Sequence, residues 1–394
     1  MLRPMSPRAH RPRLLLITPD FPPSRGGIQV LAQRLAAGLK GFETKVVALD
    51  SPGAREFDAT SGLATRRVRS FRRLGAGRNV PLNAVALLAA LRFRPHVTLS
   101  AHIVTSPAAA AIRRELGGRT VQYFHANEIG GKPKLSAFAA RRADVAIAVS
   151  AYTADLVKGT GVSPADMRLI PPGVDLPSDP TAQMSERPMF VTVARLEDRY
   201  KGHDVLIRAL ALVRAEVPDV EWIVIGDGPL RPGLERLARS HGVANSVRFL
   251  GSVCDAQRDS WLRRADLLAM PSRLPGGSLA GEGFGIVYLE AGAHGKPVVA
   301  GNVAGAVDAV LDGKTGLLVD PTDHHAVACA ITRLLLDREL ARRLGSAGAE
   351  RARRFAWPTI CERLEAVLLE QVDGLPRSDA RQERQPTGST RTVV

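Results

Sequence analysis

The 394-residue chain is predicted to be an α/β protein with two doubly wound parallel-sheet domains in tandem, facing each other across a cleft. Three observations carry this. Short apolar runs alternate with longer amphipathic stretches, the pattern of successive βαβ units. The alternation breaks at IPPGVDLPSDP, residues 170–180, whose density of proline and glycine is that of a linker, and then restarts. The length also suits two domains that each bury a core of their own.

In chain order, the basic leader before Leu14 reads as disordered. The run Leu14–Thr18 is too short for the apolar region of a signal peptide and ends at Pro19-Asp20, so it reads as a first buried strand. Further strands are expected at Lys45–Leu49, Val97–Ser100, Thr120–Phe124 and Asp144–Val149, with helices at Ile28–Leu39 and Pro81–Leu91. After the linker, strands are expected at Met189–Ala194, Val220–Ile225, Val247–Leu250, Asp266–Met270 and Pro297–Ala300, with a helix at His203–Ala215. A last helix, Pro358–Val372, precedes a tail poor in apolar residues, expected to be disordered. The expected divisions are 1–180, 181–356, a helix over 357–372 and a tail over 373–394.

Apolar content of 45% and charged content of 24% are those of an ordinary soluble protein. No segment approaches the roughly 20 apolar residues of a membrane span. Cys254, Cys329 and Cys361 are scattered and odd in number, which gives neither a disulfide framework nor metal-ligand spacing, so the expected location is cytoplasmic. The net charge is +15, and it is uneven: residues 1–180 hold 26 Lys and Arg against 12 Asp and Glu, while the remainder holds 28 against 27. A pI of 10.6 raises the question of nucleic acid. With 5% aromatic residues and no recognition motif, a nucleic-acid partner is not expected.

Ligands of open parallel sheets bind beyond the carboxyl ends of the strands, so the loops there hold the candidate chemistry. After the first strand, Gly26 and Gly27 open an amphipathic helix, where free N–H groups favour an anion such as phosphate. A plain turn would look the same. After Met189–Ala194 come Arg195 and Lys201, two cations that suit a diphosphate; a solvated basic loop is the competing explanation. After Val220–Ile225, Gly226 begins GDGP, and Arg231 stands where a dinucleotide fingerprint needs its third glycine, which disfavours hydride transfer. His125 follows Thr120–Phe124, beside Asn127 and Glu128.

The stretch EGFGIVYLEA, residues 282–291, places Glu282 just before a helix expected to start near Gly285, and Glu290 within it. Free amides at such a start bind hydroxyl or phosphate oxygens, and carboxylates accept from sugar hydroxyls. A surface role would explain Glu282 but not Glu290, which lies in an apolar run. The two acids could instead be the carboxylate pair of a glycoside hydrolase, but that would leave the glycine loop and the cations unexplained.

Together these residues resemble the family-four retaining glycosyltransferases of GT-B fold, over nearly the whole folded chain. The resemblance rests on Gly26-Gly27, Pro171 to Asp175 (PPGVD), Arg195-Leu196 with Lys201-Gly202, and two glutamates separated by seven residues, Glu282 and Glu290. Within that family, HANEIGG and AMPSRLPGGSLAGEGFGIVYLEA are most similar to the phosphatidylinositol mannosyltransferases.

The resemblance implies that the first domain binds acceptor, the second binds the nucleotide-sugar, and the last helix crosses back to the first domain. It implies that Gly27 donates backbone N–H to the donor phosphates, that Arg195 and Lys201 neutralise the diphosphate, and that Glu290 holds the ribose. Glu282 would hold the donor sugar, helped by the N–H groups of Phe284 and Gly285, with His125 near the reacting centre. GDP-mannose is the favoured donor and UDP-N-acetylglucosamine the next; the acceptor hydroxyl is left open. No Asp-x-Asp occurs, so no metal and no other cofactor is expected. Arg66, Arg67, Arg69, Arg72, Arg73 and Arg78, interleaved with Val68, Phe71 and Leu74, suggest a peripheral contact with an anionic inner membrane face. A solvated arginine-rich loop is the competing explanation.

Overall fold

The computed structural model describes residues 11–69, 79–178, 185–274 and 281–375. The leader, the arginines at 72, 73 and 78, the loop with Gly276 and Gly277, and the tail from 376 lie outside these residues.

In the first half, apolar runs form the strands β1 (Arg13–Thr18), β2 (Glu43–Leu49), β3 (Ala64–Val68), β4 (Val97–Ser100), β5 (Arg119–Phe124), β6 (Val145–Ala148) and β7 (Met167–Leu169). They make one parallel sheet in the order β3-β2-β1-β4-β5-β6-β7. Its helices are α1 (Gly27–Gly38), α2 (Ala54–Ser61), α3 (Val80–Phe93), α4 (Ser106–Leu116), α5 (Ala126–Gly131), α6 (Pro133–Arg142) and α7 (Ala151–Lys158).

The second half repeats the plan with β8 (Met189–Val193), β9 (Glu221–Ile225), β10 (Val247–Gly251), β11 (Leu267–Met270), β12 (Val298–Gly301) and β13 (Gly316–Val319), ordered β10-β9-β8-β11-β12-β13 and also parallel. Helices α8 (His203–Glu216), α9 (Arg231–Ser240), α10 (Asp255–Arg264), α11 (Ile286–Ala293), α12 (Ala306–Ala309), α13 (His324–Leu336), α14 (Arg338–Arg353) and α15 (Trp357–Asp373) complete it. In each sheet the strand order reverses beside the first strand, between β1 and β4 and between β8 and β11. Such reversal points open a crevice at the strands' carboxyl ends.

Ten strands coincide with the apolar runs to within two residues, and three were not expected: β3, β7 and β13. All three are sheet edges. An edge strand is covered on fewer sides, and these are mostly half-exposed or exposed, so they lack the continuous apolar run of a central strand.

The two sheets share a core. Leu14, Leu16, Val97 and Val121 of the first sheet join Met189, Ile223 and Met270 of the second in one apolar cluster, together with Trp357, Ile360, Leu364 and Leu368 of α15. The linker is pinned there: Val174 N–H donates to Phe355 O at 2.8 Å, and Trp357 N–H to Val174 O at 3.3 Å. Helix α15 then runs along the first domain. Glu365 accepts the Gly41 N–H at 2.9 Å, Arg168 pairs with Glu370 at 3.2 Å, and Arg119 donates to Gly374 O at 2.8 Å.

One expectation for the basic segment is corrected. Arg67 is not available to a membrane: it forms an ion pair with Asp58 at 2.8 Å, donates to Leu49 O at 3.1 Å and lies over the Phe21 ring. The parallel register places Arg67 beside Ala48, so its side chain closes over the ends of β1 and β2. Arg66 and Arg69 are exposed.

Candidate active site

The carboxyl ends of both sheets meet at one cleft, and the starts of two helices form its walls. At α1, Gly27 comes so near the other domain that a β-carbon there would stand 3.3 Å from Ile286 Cδ1, at the start of α11. The next residues of the second domain touch the first as well: a β-carbon on Gly283 would lie 3.6 Å from Ala126 N. Arg25 donates to Val253 O at 3.2 Å, and Asp308 accepts the Ala151 N–H at 3.3 Å. The amides of Gly27 and Ile28 and those of Phe284 and Gly285 donate to no described residue. Two helix starts with N–H groups that no described residue accepts therefore face each other, an arrangement that suits an anion.

Gly285 makes the second wall possible. Its φ of 88° is left-handed, and any side chain there would overlap the Tyr288 ring. Tyr288 is anchored beneath by donating to Met270 O at 2.8 Å, and Phe284 is buried against Phe355. Gly305 N–H donates to Glu282 O at 2.8 Å, which fixes the loop ahead of α11.

Lys201 and Glu282 are brought into direct contact, one from the loop after β8 and the other from the loop before α11. Their side chains are 16% and 14% exposed, so the pair is largely desolvated while one edge stays wet. Burial disfavours the ammonium, but Glu282 and the nearby Tyr200 outweigh it and hold the Lys201 pKa above its usual range. The Lys201 ammonium also sits 4.9 Å above the Tyr200 ring.

Arg195 is placed differently. It is 63% exposed and pairs with Glu197 at 2.9 Å, so a bound anion would have to draw it from that partner. Gly226 packs its backbone against Ala194 O, a contact that no β-carbon would allow, and its N–H donates to Gly251 O at 2.9 Å. Gly26 is the N-cap of α1.

Glu290 projects from α11 toward Arg258 of α10, 3.5 Å away, and Arg258 also meets Asp255 at 3.2 Å and Asp259 at 3.1 Å. Burial pushes the Glu290 carboxyl up, and Arg258 only partly offsets this. The sequence reading missed Arg258. Its pairing crosses between two helices, and no spacing within the chain signals it.

His125 ends β5 and opens α5. It is 8% exposed, its Nε2 lies 3.0 Å from Ala101 O, and its ring stacks on Tyr123. Burial lowers its pKa below the usual histidine value, so the ring is neutral at neutral pH. Nε2 then donates to Ala101, and Nδ1, the acceptor, faces the Glu128 N–H in a capping box at the start of α5. His102, after β4, was also missed; the rule of looking just past each strand would have found it.

Two doubly wound parallel-sheet domains joined across a cleft at the carboxyl ends of their strands are the arrangement of the GT-B fold. Solved structures share this fold. Sucrose-phosphate synthase from Thermosynechococcus elongatus superposes with a TM-score of 0.76 at 21% identity, covering 92% of this chain and 99% of that one. Anabaena HepE in complex with UDP and glucose gives 0.76 at 22% identity, covering 92% and 100%.

The profile described as Glycosyltransferase Family 4 matches residues 25–177, and that described as Glycosyl transferases group 1 matches 178–351. A Mycolicibacterium smegmatis protein named GDP-mannose-dependent alpha-(1-6)-phosphatidylinositol monomannoside mannosyltransferase is 36% identical over 90% of this chain and 98% of its own length. The Corynebacterium glutamicum protein named for the monoacylated form of that acceptor is 30% identical over 90% and 97%. The chain belongs to the family-four glycosyltransferases.

Proposed function

We propose that this enzyme transfers mannose from GDP-mannose, with retention of configuration, to a hydroxyl of an inositol-phosphate lipid. The observation that carries the choice is the extent of the likeness. A relative named D-inositol 3-phosphate glycosyltransferase is 35% identical but over only 57% of this chain, whereas the mannosyltransferase likeness runs through both domains. Donor phosphates would sit between the free amides of α1 and α11, with Lys201 and Arg195 taking up charge as the diphosphate leaves. Glu282 would hold the sugar hydroxyls, Glu290 the ribose, and neutral His125 would contact the donor sugar near the reacting carbon. The leaving phosphate itself takes the acceptor proton on the same face, so no protein nucleophile is used.

The reading includes no metal: the cations and helix amides supply the neutralisation. Activity is expected to persist in EDTA, and loss restored by magnesium or manganese would overturn that part. The decisive assay supplies GDP-mannose or UDP-N-acetylglucosamine with phosphatidylinositol monomannoside. Mannosyl transfer with an α-anomeric product by NMR is expected, and transfer from the UDP-sugar alone would reject the donor assignment.

The same reading has the first domain resting on an anionic membrane surface. On α3, Val80, Leu88 and Leu91 are 66%, 57% and 45% exposed, beside exposed Arg92 and Arg94. An apolar stripe rimmed by cations suits the headgroup boundary. No helix among the described residues is long and apolar enough to cross a membrane. Leu88→Ser with Leu91→Ser is expected to lower co-sedimentation with vesicles containing phosphatidylinositol. Equal recovery of wild type with phosphatidylcholine vesicles would reject the membrane contact and favour a soluble acceptor.

A further inference from the structure

One buried carboxylate in the first domain is not used by the donor chemistry. Glu128 of α5 has turned inward, to 9% exposure, behind the cleft wall. Its Oε1 accepts the His125 N–H at 3.0 Å. Its Oε2 accepts the Ile103 N–H at 3.2 Å and lies 2.9 Å from His102 Nδ1. The single side chain thus joins the loops after β4 and β5, the strands beside the reversal point of the first sheet.

A buried carboxylate needs a compensating charge, and His102 is the one in contact with it. Nδ1 also lies in the line of the Val104 N–H, which donates to it at 3.2 Å when the ring is neutral. When the ring is charged both nitrogens carry a proton, Nδ1 faces the Glu128 carboxylate and Nε2 is turned away from it. The ring is 17% exposed, and Nε2 bonds to no described residue. Four charged or titratable groups face it: Glu128, Asp20 after β1, Lys132 at the end of α5, and His125. Burial and Lys132 disfavour the imidazolium; Glu128 and Asp20 favour it and prevail, so the His102 pKa is raised. The same cluster therefore disfavours the proton on one ring, His125, and favours it on the other, His102.

We propose that His102 is an acceptor-contacting residue that donates from Nε2 to an anionic oxygen of the acceptor, with Glu128 as its positioning residue. This rests on the functional reading above, in which the first domain takes the acceptor. The donor's diphosphate has its own cations in the second domain, so a cation presented from the first domain serves a second anion. The first half also carries nearly all of the chain's positive excess, which suits such an acceptor.

The test uses the full chain saturated with GDP and titrated calorimetrically with glycerophosphoinositol, a phosphodiester that does not itself titrate in the range used, against neutral myo-inositol. Wild type should prefer the diester, and its affinity should fall about tenfold as pH rises from about 6 to about 9. The sign follows from a raised histidine pKa: the donor cation is complete below it and lost above it. His102→Gln should bind the diester about tenfold more weakly at the low end, lose the pH dependence, and bind GDP like wild type. Glu128→Gln should move the midpoint to lower pH, and nitrogen-15 shifts of the imidazole report that midpoint even where the variant is less stable.

Diester affinity and pH profile unchanged in His102→Gln would overturn the proposal, as would parallel loss of GDP binding and thermal stability, the signature of a merely structural turn. Failure of wild type to bind GDP would overturn the functional reading along with it.

Discussion

Glu282 and Glu290 look equivalent in the sequence, yet their surroundings separate them. Glu282 touches the ammonium of Lys201, while the half-buried Glu290 has as its nearest cation Arg258, shared among three carboxylates. If Glu290 accepts from the ribose, it must be ionised to do so. Its pKa is raised, so donor affinity should climb as pH rises through that value and level off above it. Glu290→Gln should remove the climb and weaken GDP binding by about 1.5–3 kcal/mol, read by calorimetry. A pH-independent wild type would contradict the assignment.

The two cations also separate. Lys201→Ala leaves Glu282 largely buried without its partner and should cost about 2 kcal/mol of stability as well as turnover. Arg195→Ala breaks only an exposed pair and should leave the melting temperature nearly unchanged while lowering kcat. Equal melting shifts in the two variants would be the contrary result. Arg195, Lys201 and Glu282 could be singled out in the sequence because each follows a strand or precedes a helix, and Glu290 because it is an acid within an apolar run. Their partners could not be, since Arg258 and Tyr200 are defined by what lies opposite them in space.

At the level of elements, helix α11 turns a loop into a binding surface. Its start depends on one left-handed residue, Gly285, stacked on Tyr288. Gly285→Ala is expected to cost about 1–3 kcal/mol and to weaken GDP binding, because the free amides of Phe284 and Gly285 would have to move. Thermal unfolding and calorimetry together check this; a variant as stable as wild type would mean the start of α11 can rearrange. Most strands could be read from short apolar runs. The exceptions, β3, β7 and β13, show where that signal fades: an edge strand half open to solvent has no reason to be continuously apolar.

The whole molecule is less divisible than its two sheets suggest. Ile360, Leu364 and Leu368 of α15 are fully buried against the first domain, although the helix follows the second in sequence. A chain ending at Ala356 should therefore aggregate or unfold without a cooperative transition, judged by gel filtration and calorimetry. A monomer melting like wild type would show that α15 is an accessory.

A chain is made from its N-terminus, and this places α15 at the end of a wait. When the linker near residue 178 emerges from the ribosome, the first domain has all seven strands but not the helix that covers its apolar groove. The second domain must be synthesised before that helix appears, a delay of about ten to forty seconds at ordinary elongation rates. During that time the groove lined by Leu31, Leu35 and Val97 is open to chaperones and to neighbouring nascent chains. Substitutions at the α15 contact should therefore show first as reduced soluble yield, and only later, if at all, as reduced activity of the protein that survives.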